Sequence, residues 1–317
     1  MRSQGSLIGK NNSAATGQGI WNLNAFFDQP PRNNAGKWGA DRPDPEYQES
    51  DGIWTLDEIT RLGRDNKWNS TVLNQFGLEV AVIAGGGGGG TTSPTAGGGG
   101  AGGMLISTET ATVGTTYSAT IGLGGSAGSN GSNSTLSVWS LTAIGGGRGQ
   151  NHPNSTGNSG GSGGGGSYGT TGAGTAEQGN NAGIGYSGNP LTYGGGGGKG
   201  GVGGNGQNSY SGTGGGNGGA GYEWPSGSGD YYAGGGGARA GGSGGSGGGG
   251  AAGSSGTANT GGGGGGGGAG GSGIVILKIR ASQYLGSSTG SPTVEDFNDG
   301  STDFKLVKFT GNGSYTA

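Results

Sequence analysis

The sequence predicts a mainly β protein: a small β-sandwich-like frame, an inserted lattice of polyglycine-II helices, and an extended N-terminal arm with short helices. Three observations predict it. Glycine supplies 94 of 317 residues, often in unbroken runs such as 85–90, 194–198 and 261–268, where average usage is about 7%. Two strongly apolar segments, 78–84 and 274–280, bracket the glycine-rich stretch. The first seventy residues carry two tryptophan-bearing units with helical spacing.

The glycine runs pose a choice between a flexible tether and a packed solid. Glycine buries no side chain and loses the most backbone freedom on ordering, at roughly 1–2 kcal/mol per residue. With only 27% hydrophobic residues, one conventional core cannot offset that cost everywhere. Disordered chains usually combine low hydrophobicity with high net charge. Between Ala84 and Gly273 there are seven charged residues, Glu109, Arg148, Glu177, Lys199, Glu223, Asp230 and Arg239, and no phenylalanine. Low hydrophobicity with so little charge suits main chain packed on main chain. Three-residue-per-turn helices of glycine expose N–H and C=O groups on all sides, so short runs can stack and bond laterally. A Gly/Ser tether has no use for Tyr168, Tyr186, Tyr193, Tyr210, Tyr222, Trp224, Tyr231 and Tyr232. Their rings are expected to cover the lattice faces with hydroxyls in water.

Taken in order, the elements are as follows. Residues 1–70 form a docking arm. It repeats Gly19-Ile20-Trp21-Asn22-Leu23, followed by Trp38, as Gly52-Ile53-Trp54-Thr55-Leu56, followed by Trp68, offset by 33 residues. Thr55 and Glu58 fit a capping box. Asn22 can cap the first unit, Leu23, Phe26 and Phe27 share a face, and Pro30-Pro31 end it. Helices this short are marginal alone. Trp21, Phe26, Phe27, Trp38, Trp54, Leu56 and Trp68 are therefore expected to fill pockets on a partner, with padding of the protein's own domain as the alternative. Residues 71–144 form a β frame, with strands at 78–84, 104–113, 116–123 and 135–144. Residues 145–272 form the polyglycine-II region. Residues 273–317 supply the closing strand 274–280 and a C-terminal strand, 304–309, whose apolar–charged alternation predicts one wet face. Pairing of 78–84 with 274–280 would make the glycine region an insertion between sheet neighbours, where a structureless loop would be anomalous.

No catalytic, cofactor-binding or metal-binding residues emerge. Gly-x-Gly-x-x-Gly matches lack the strand-then-helix context of a dinucleotide site. Lys199 precedes Gly200, where a phosphate loop needs Ser or Thr. His152 is the one histidine and reads as a solvated loop residue. Glu295, Asp296, Asp299 and Asp303 hint at calcium, but their spacing does not fit an EF-hand, and a polar turn suffices. There is no cysteine for a disulfide frame or zinc knuckle. A net charge of −3 without a basic block argues against nucleic acid. The apolar run 80–84 is too short to span a bilayer, and no secretory signal is visible at the start.

The strand-to-glycine junction Val80-Ala81-Val82-Ile83-Ala84 before 85–90, the glycine spacing of 97–103, and the closing Gly270-Gly271-Ser272-Gly273-Ile274-Val275-Ile276-Leu277 resemble the glycine-rich domain of bacteriophage structural proteins. Such domains occur in tail fibres, tail-tip adhesins and other virion appendages. The Gly-Ile-Trp-x-Leu units look like short elements beside such domains, notably in marine phages. The resemblance spans 19–68 and 78–280. It implies stacked polyglycine helices whose distal loops contact receptors. The expected function is that of a non-enzymatic virion structural protein, a tail fibre or tail-tip appendage taking part in host attachment. The alternative is a capsid decoration or head-fibre protein. Expected partners are other virion proteins through the arm, further copies in a homo-oligomer, and a host surface glycan or outer-membrane protein. The receptor-facing candidates are Tyr210, Tyr222, Trp224, Tyr231 and Tyr232. The expected location is the virion, assembled in a host cytoplasm. In such domains a strand like 305–316 usually precedes the Val-Ala-Gly-rich strand. Its C-terminal position here resembles a circular permutation, so it is expected beside 78–84, in its own subunit or a neighbour.

Overall fold

The computed structural model describes residues 75–317 except 92–94, 152–155, 168, 189–190 and 209–212. The arm residues Trp21, Phe26, Phe27, Trp38, Trp54, Leu56 and Trp68 lie outside the described residues, as do Tyr210 and His152. Residues 75–317 belong to one compact unit.

The fold is mainly β. Its strands are β1 (Gln75–Ile83), β2 (Met104–Thr112), β3 (Thr116–Thr120), β4 (Ser134–Leu136), β5 (Leu141–Ala143), β6 (Tyr222–Glu223), β7 (Tyr231–Tyr232), β8 (Ile274–Arg280), β9 (Ser287–Thr289), β10 (Thr293–Asn298), β11 (Asp303–Phe309) and β12 (Gly313–Thr316). One antiparallel sheet has the order β10-β11-β8-β1-β2, a second β5-β4-β3-β12-β9, and β6-β7 is a short hairpin. β1 does pair with β8, Ile83 opposite Ile274 and Glu79 opposite Lys278.

Successive residues of a strand face opposite ways, and both faces of β1 and β8 are covered. Val80, Val82, Val275, Leu277 and Ile279 meet Tyr117, Leu136 and Tyr315 of the second sheet. Ala81, Ile83, Ile274 and Ile276 meet Trp224 and Tyr232 on the outer side. That double cover explains the unbroken apolar runs, each buried aliphatic side chain adding about 1.5–3 kcal/mol of transfer free energy. Ser134 joins the two sheets where they meet the glycine region. Its Oγ donates to the Ile83 carbonyl and accepts from the Gly122 N–H, both at 2.8 Å.

Four expectations need correction. Residues 135–144 are not one strand but the β4–β5 hairpin, because Val138 (φ 73°) and Ser140 (φ 54°) turn the chain in the left-handed region. The strand expected over 116–123 stops at Thr120, and the chain continues into a glycine run. The strand at 304–309 has no wet face: Leu306 is buried on one side and Val307 and Phe309 on the other. It also lies beside β8, which separates it from 78–84.

The glycine runs form a lattice with three-fold bonding. In 97–103 the N–H groups of Gly97, Gly100 and Gly103 donate to the carbonyls of Gln150, Gly147 and Ile144. Those of Gly98 and Ala101 donate to Gly194 and Gly197, and those of Gly99 and Gly102 to Gly264 and Gly261. Every third residue thus addresses the same neighbour, as three residues per turn requires. The carbonyls of this run, with that of Ala96 just before it, accept from three further runs, through Gly87 and Gly90, Ser162 and Gly165, and Gly236 and Arg239. One bare helix is therefore enclosed by six others. Contact is so close that a Cβ at Gly98, Gly99 or Gly100 would lie 2.0, 2.1 or 2.2 Å from a neighbouring carbonyl oxygen. The runs 85–90, 97–103 and 122–133 take part, so the lattice extends beyond the 145–272 boundary read from composition.

Candidate recognition surface

The lattice is rooted in one end of the sandwich, where Ile83 stands opposite both Met104 and Ile274. Gln75, where the described chain begins, pairs with Thr112 at the other end of β1. The lattice and the β6–β7 hairpin that emerges from it carry the exposed side chains considered for contact.

The hairpin corrects part of the aromatic assignment. Trp224 and Tyr232 are 5% and 6% exposed and pack on the outer face of the first sheet. Their rings cover Ala81, Ile83 and Ile276, which would otherwise meet water, so neither faces outward to a receptor. Tyr222 and Tyr231 are each 46% exposed. Tyr231 stands opposite Glu223 on the outward side of the hairpin. Glu223 closes the tip by accepting the N–H groups of Gly227 and Gly229 at 3.0 and 2.9 Å. Tyr193, expected to keep a wet hydroxyl, is buried at 1% exposure. Burial raises its pKa, partly offset by a hydrogen bond with Thr95.

Charge fastens the hairpin to the sheet. Lys308 of β11 donates to Asp230 at 3.0 Å and to Glu295 of β10 at 2.7 Å. Burial pulls the Lys308 pKa down, but its two carboxylate partners outweigh this and hold it above the usual lysine value. Burial, with smaller contributions from Asp230 and Glu295 and opposed by Lys308, pushes Tyr232 up to about 12. The acidic residues considered for calcium are engaged otherwise. Glu295 and Asp296 pair with Lys308 and Lys305, Asp299 accepts the N–H groups of Thr302 and Ser301, and Asp303 accepts from Asn298. Among the described residues no group of three or more acidic, histidine or cysteine side chains could hold a metal. None of the described helices is long and apolar enough to cross a membrane.

The lattice surface carries a pattern that sequence reading missed. Outward-facing side chains recur every third residue: Val202 and Asn205, Asn217 and Ala220, Ser243 and Ser246, all exposed. Their runs are neighbours, since Gly204 donates to Asn217 and Gly218 to Ser243. The result is an outer layer of small uncharged groups. Asparagines close its edges. Asn205 Oδ1 accepts the Ile184 N–H while Gly206 N–H donates to the Ile184 carbonyl. Asn217 and Gly218 grip Ser243 in the same way. Asn133 and Asn130, three apart, receive the N–H groups of Gly145 and Arg148, standing in for an absent neighbouring run. The asparagines interrupting the glycine runs were the available signal.

A model of the glycine-rich domain matches residues 67–280, well over half of the chain. The chain belongs to the glycine-rich domain family. The matched glycine-rich domain ends with β8, so β9 to β12, which complete both sheets, lie outside it. No curated protein and no solved structure matches the chain significantly.

Proposed function

We propose that the protein is a non-enzymatic structural component of a bacteriophage virion, an appendage of tail-fibre or tail-tip type that takes part in host attachment. The observation that supports this reading is a solid backbone lattice rooted in one end of a β-sandwich. A main-chain solid of that kind suits a rigid appendage that presents its surface side chains for contact. The phage setting rests on the sequence resemblance of residues 19–68 and 78–280.

In this reading the aromatic arm docks on other virion proteins, and copies assemble as an oligomer. Tyr222 and Tyr231, with the uncharged lattice surface, face the host, where exposed aromatic rings suit sugar faces or protein loops. Trp224 and Tyr232 anchor the hairpin that presents them. Few charges and few bulky side chains on the lattice leave proteases little to engage, and surface loops tolerate change.

Antibody-gold labelling of purified particles, with a cell-binding assay of the soluble protein, tests the proposal. Label at the tail together with protein that binds cells and blocks infection is expected. Label spread over the capsid with no binding would favour decoration of the particle. Absence of the protein from particles would overturn both.

A further inference from the structure

Four Asn-Gly dipeptides occur in the sequence, at 130–131, 205–206, 217–218 and 312–313. This dipeptide is the most prone to deamidation, because glycine lets the chain fold back on the asparagine side chain. The nitrogen of the glycine attacks Asn Cγ and gives up its proton. The Cγ–Nδ2 bond breaks, ammonia leaves, and a five-membered succinimide forms. Water then opens the ring to aspartate or isoaspartate. Isoaspartate adds one methylene to the main chain and would slip the three-residue phase on which the lattice depends.

We infer that the fold locks all four sites against this reaction. Each asparagine side chain is committed: the Oδ1 atoms of Asn130, Asn205, Asn217 and Asn312 accept the N–H groups of Arg148, Ile184, Ser243 and Ile121 at 2.9, 2.9, 2.9 and 2.8 Å. The attacking nitrogen is committed too at the three lattice sites. Gly131, Gly206 and Gly218 donate to Gly146, Ile184 and Ser243 at 2.9, 2.8 and 2.8 Å, and Gly313 sits in the β12–β3 ladder opposite Ala119. At the three lattice sites both bonds must break before nitrogen and Cγ can meet, and the extended chain must fold back against neighbouring runs; at Asn312 the side-chain bond must break and the strand must leave its ladder. The side chain that closes the lattice edge is therefore also the group whose loss would open it, and closure protects it.

The test compares the intact protein with the same protein in urea, at mildly alkaline pH, following the one-dalton mass gain and isoaspartate content of each peptide. A Thr310→Asn variant supplies an internal control. It creates an Asn-Gly sequence in an exposed turn where nothing crowds Gly311. The four native sites are expected to react at least about tenfold more slowly in the folded chain than in urea, the cost of two hydrogen bonds, while the control site reacts at nearly the unfolded rate. Equal folded and unfolded rates at Asn205 and Asn217 would overturn the inference. So would a control site as slow as the native ones, which would trace the protection to folding in general.

Discussion

At the scale of single residues, glycine in this protein is required for proximity more than for flexibility. Gly99 shows why. Its N–H reaches Gly264 at 2.8 Å, its carbonyl accepts from Gly236 at 2.9 Å, and a Cβ would stand 2.1 Å from the Gly87 oxygen. Backbone cannot rotate aside as a side chain can, so a methyl group must push two runs apart. Gly99→Ala is expected to destabilise the fold by about 3 kcal/mol, seen as a lower melting temperature. Gly201 provides the contrast. Its nearest neighbour would lie 3.6 Å from an added Cβ, and its φ is not in the left-handed region. Gly201→Ala should be neutral or stabilising by about 0.4–1 kcal/mol, through a less flexible unfolded chain. Equal effects of the two substitutions would show that contact distance does not govern the lattice.

At the scale of elements, segments with strong local pattern were legible and those shaped by remote neighbours were not. β1 and β8 announce themselves because both faces are buried. β11 is legible as a strand but its wet face is not real: Lys308, which composition marks as solvent-facing, spans Asp230 and Glu295 beneath the hairpin. The burial of Trp224 and Tyr232 is hidden for the same reason: their partners Ala81, Ile83 and Ile276 lie far away in sequence. The hairpin they anchor should be sensitive to alkali. The Tyr232 pKa is raised from 10.0 to about 12, so the fold holds that proton more tightly than the unfolded chain does. Its contribution is complete below pH 10 and lost as pH climbs through 12. Lys308, likewise raised, acts in the same direction, as do buried Tyr193 and Tyr315. Lys199, lowered by burial, opposes them from within the lattice. Each pKa unit is worth about 1.4 kcal/mol, so Tyr232 alone should account for roughly 2–3 kcal/mol. Trp224 fluorescence is expected to report hairpin release in that window, and Tyr232→Phe to move the transition to higher pH. A transition unchanged by Tyr232→Phe would remove this residue from the account.

At the scale of the whole described fold, residues 75–317, stability comes from two solids joined at one seam, an apolar sandwich and a main-chain lattice. The sandwich depends on its last strands. Val307, Phe309 and Tyr315 are buried in the core between the sheets, so deletion of 303–317 should abolish cooperative unfolding, read by calorimetry. The lattice depends on direction, and direction repeats every three residues. An outer run such as 214–220 has two thirds of its N–H groups aimed at neighbours and one third at solvent. Gly215, Gly216, Gly218 and Gly219 donate to Ala240, Tyr193, Ser243 and Gly196, whereas Asn217 and Ala220 carry the exposed side chains. Amide exchange follows opening of the local bond. Asn217 and Ala220 should therefore exchange quickly between slow neighbours, while an enclosed run such as 97–103 should be slow throughout. Composition could indicate a lattice but not which third of each run faces out, because a run of identical glycines carries no phase until asparagine, serine or alanine marks it. Uniformly fast exchange across 97–103 and 194–198 would mean that the bare helices do not bond to one another and that the lattice is not a solid.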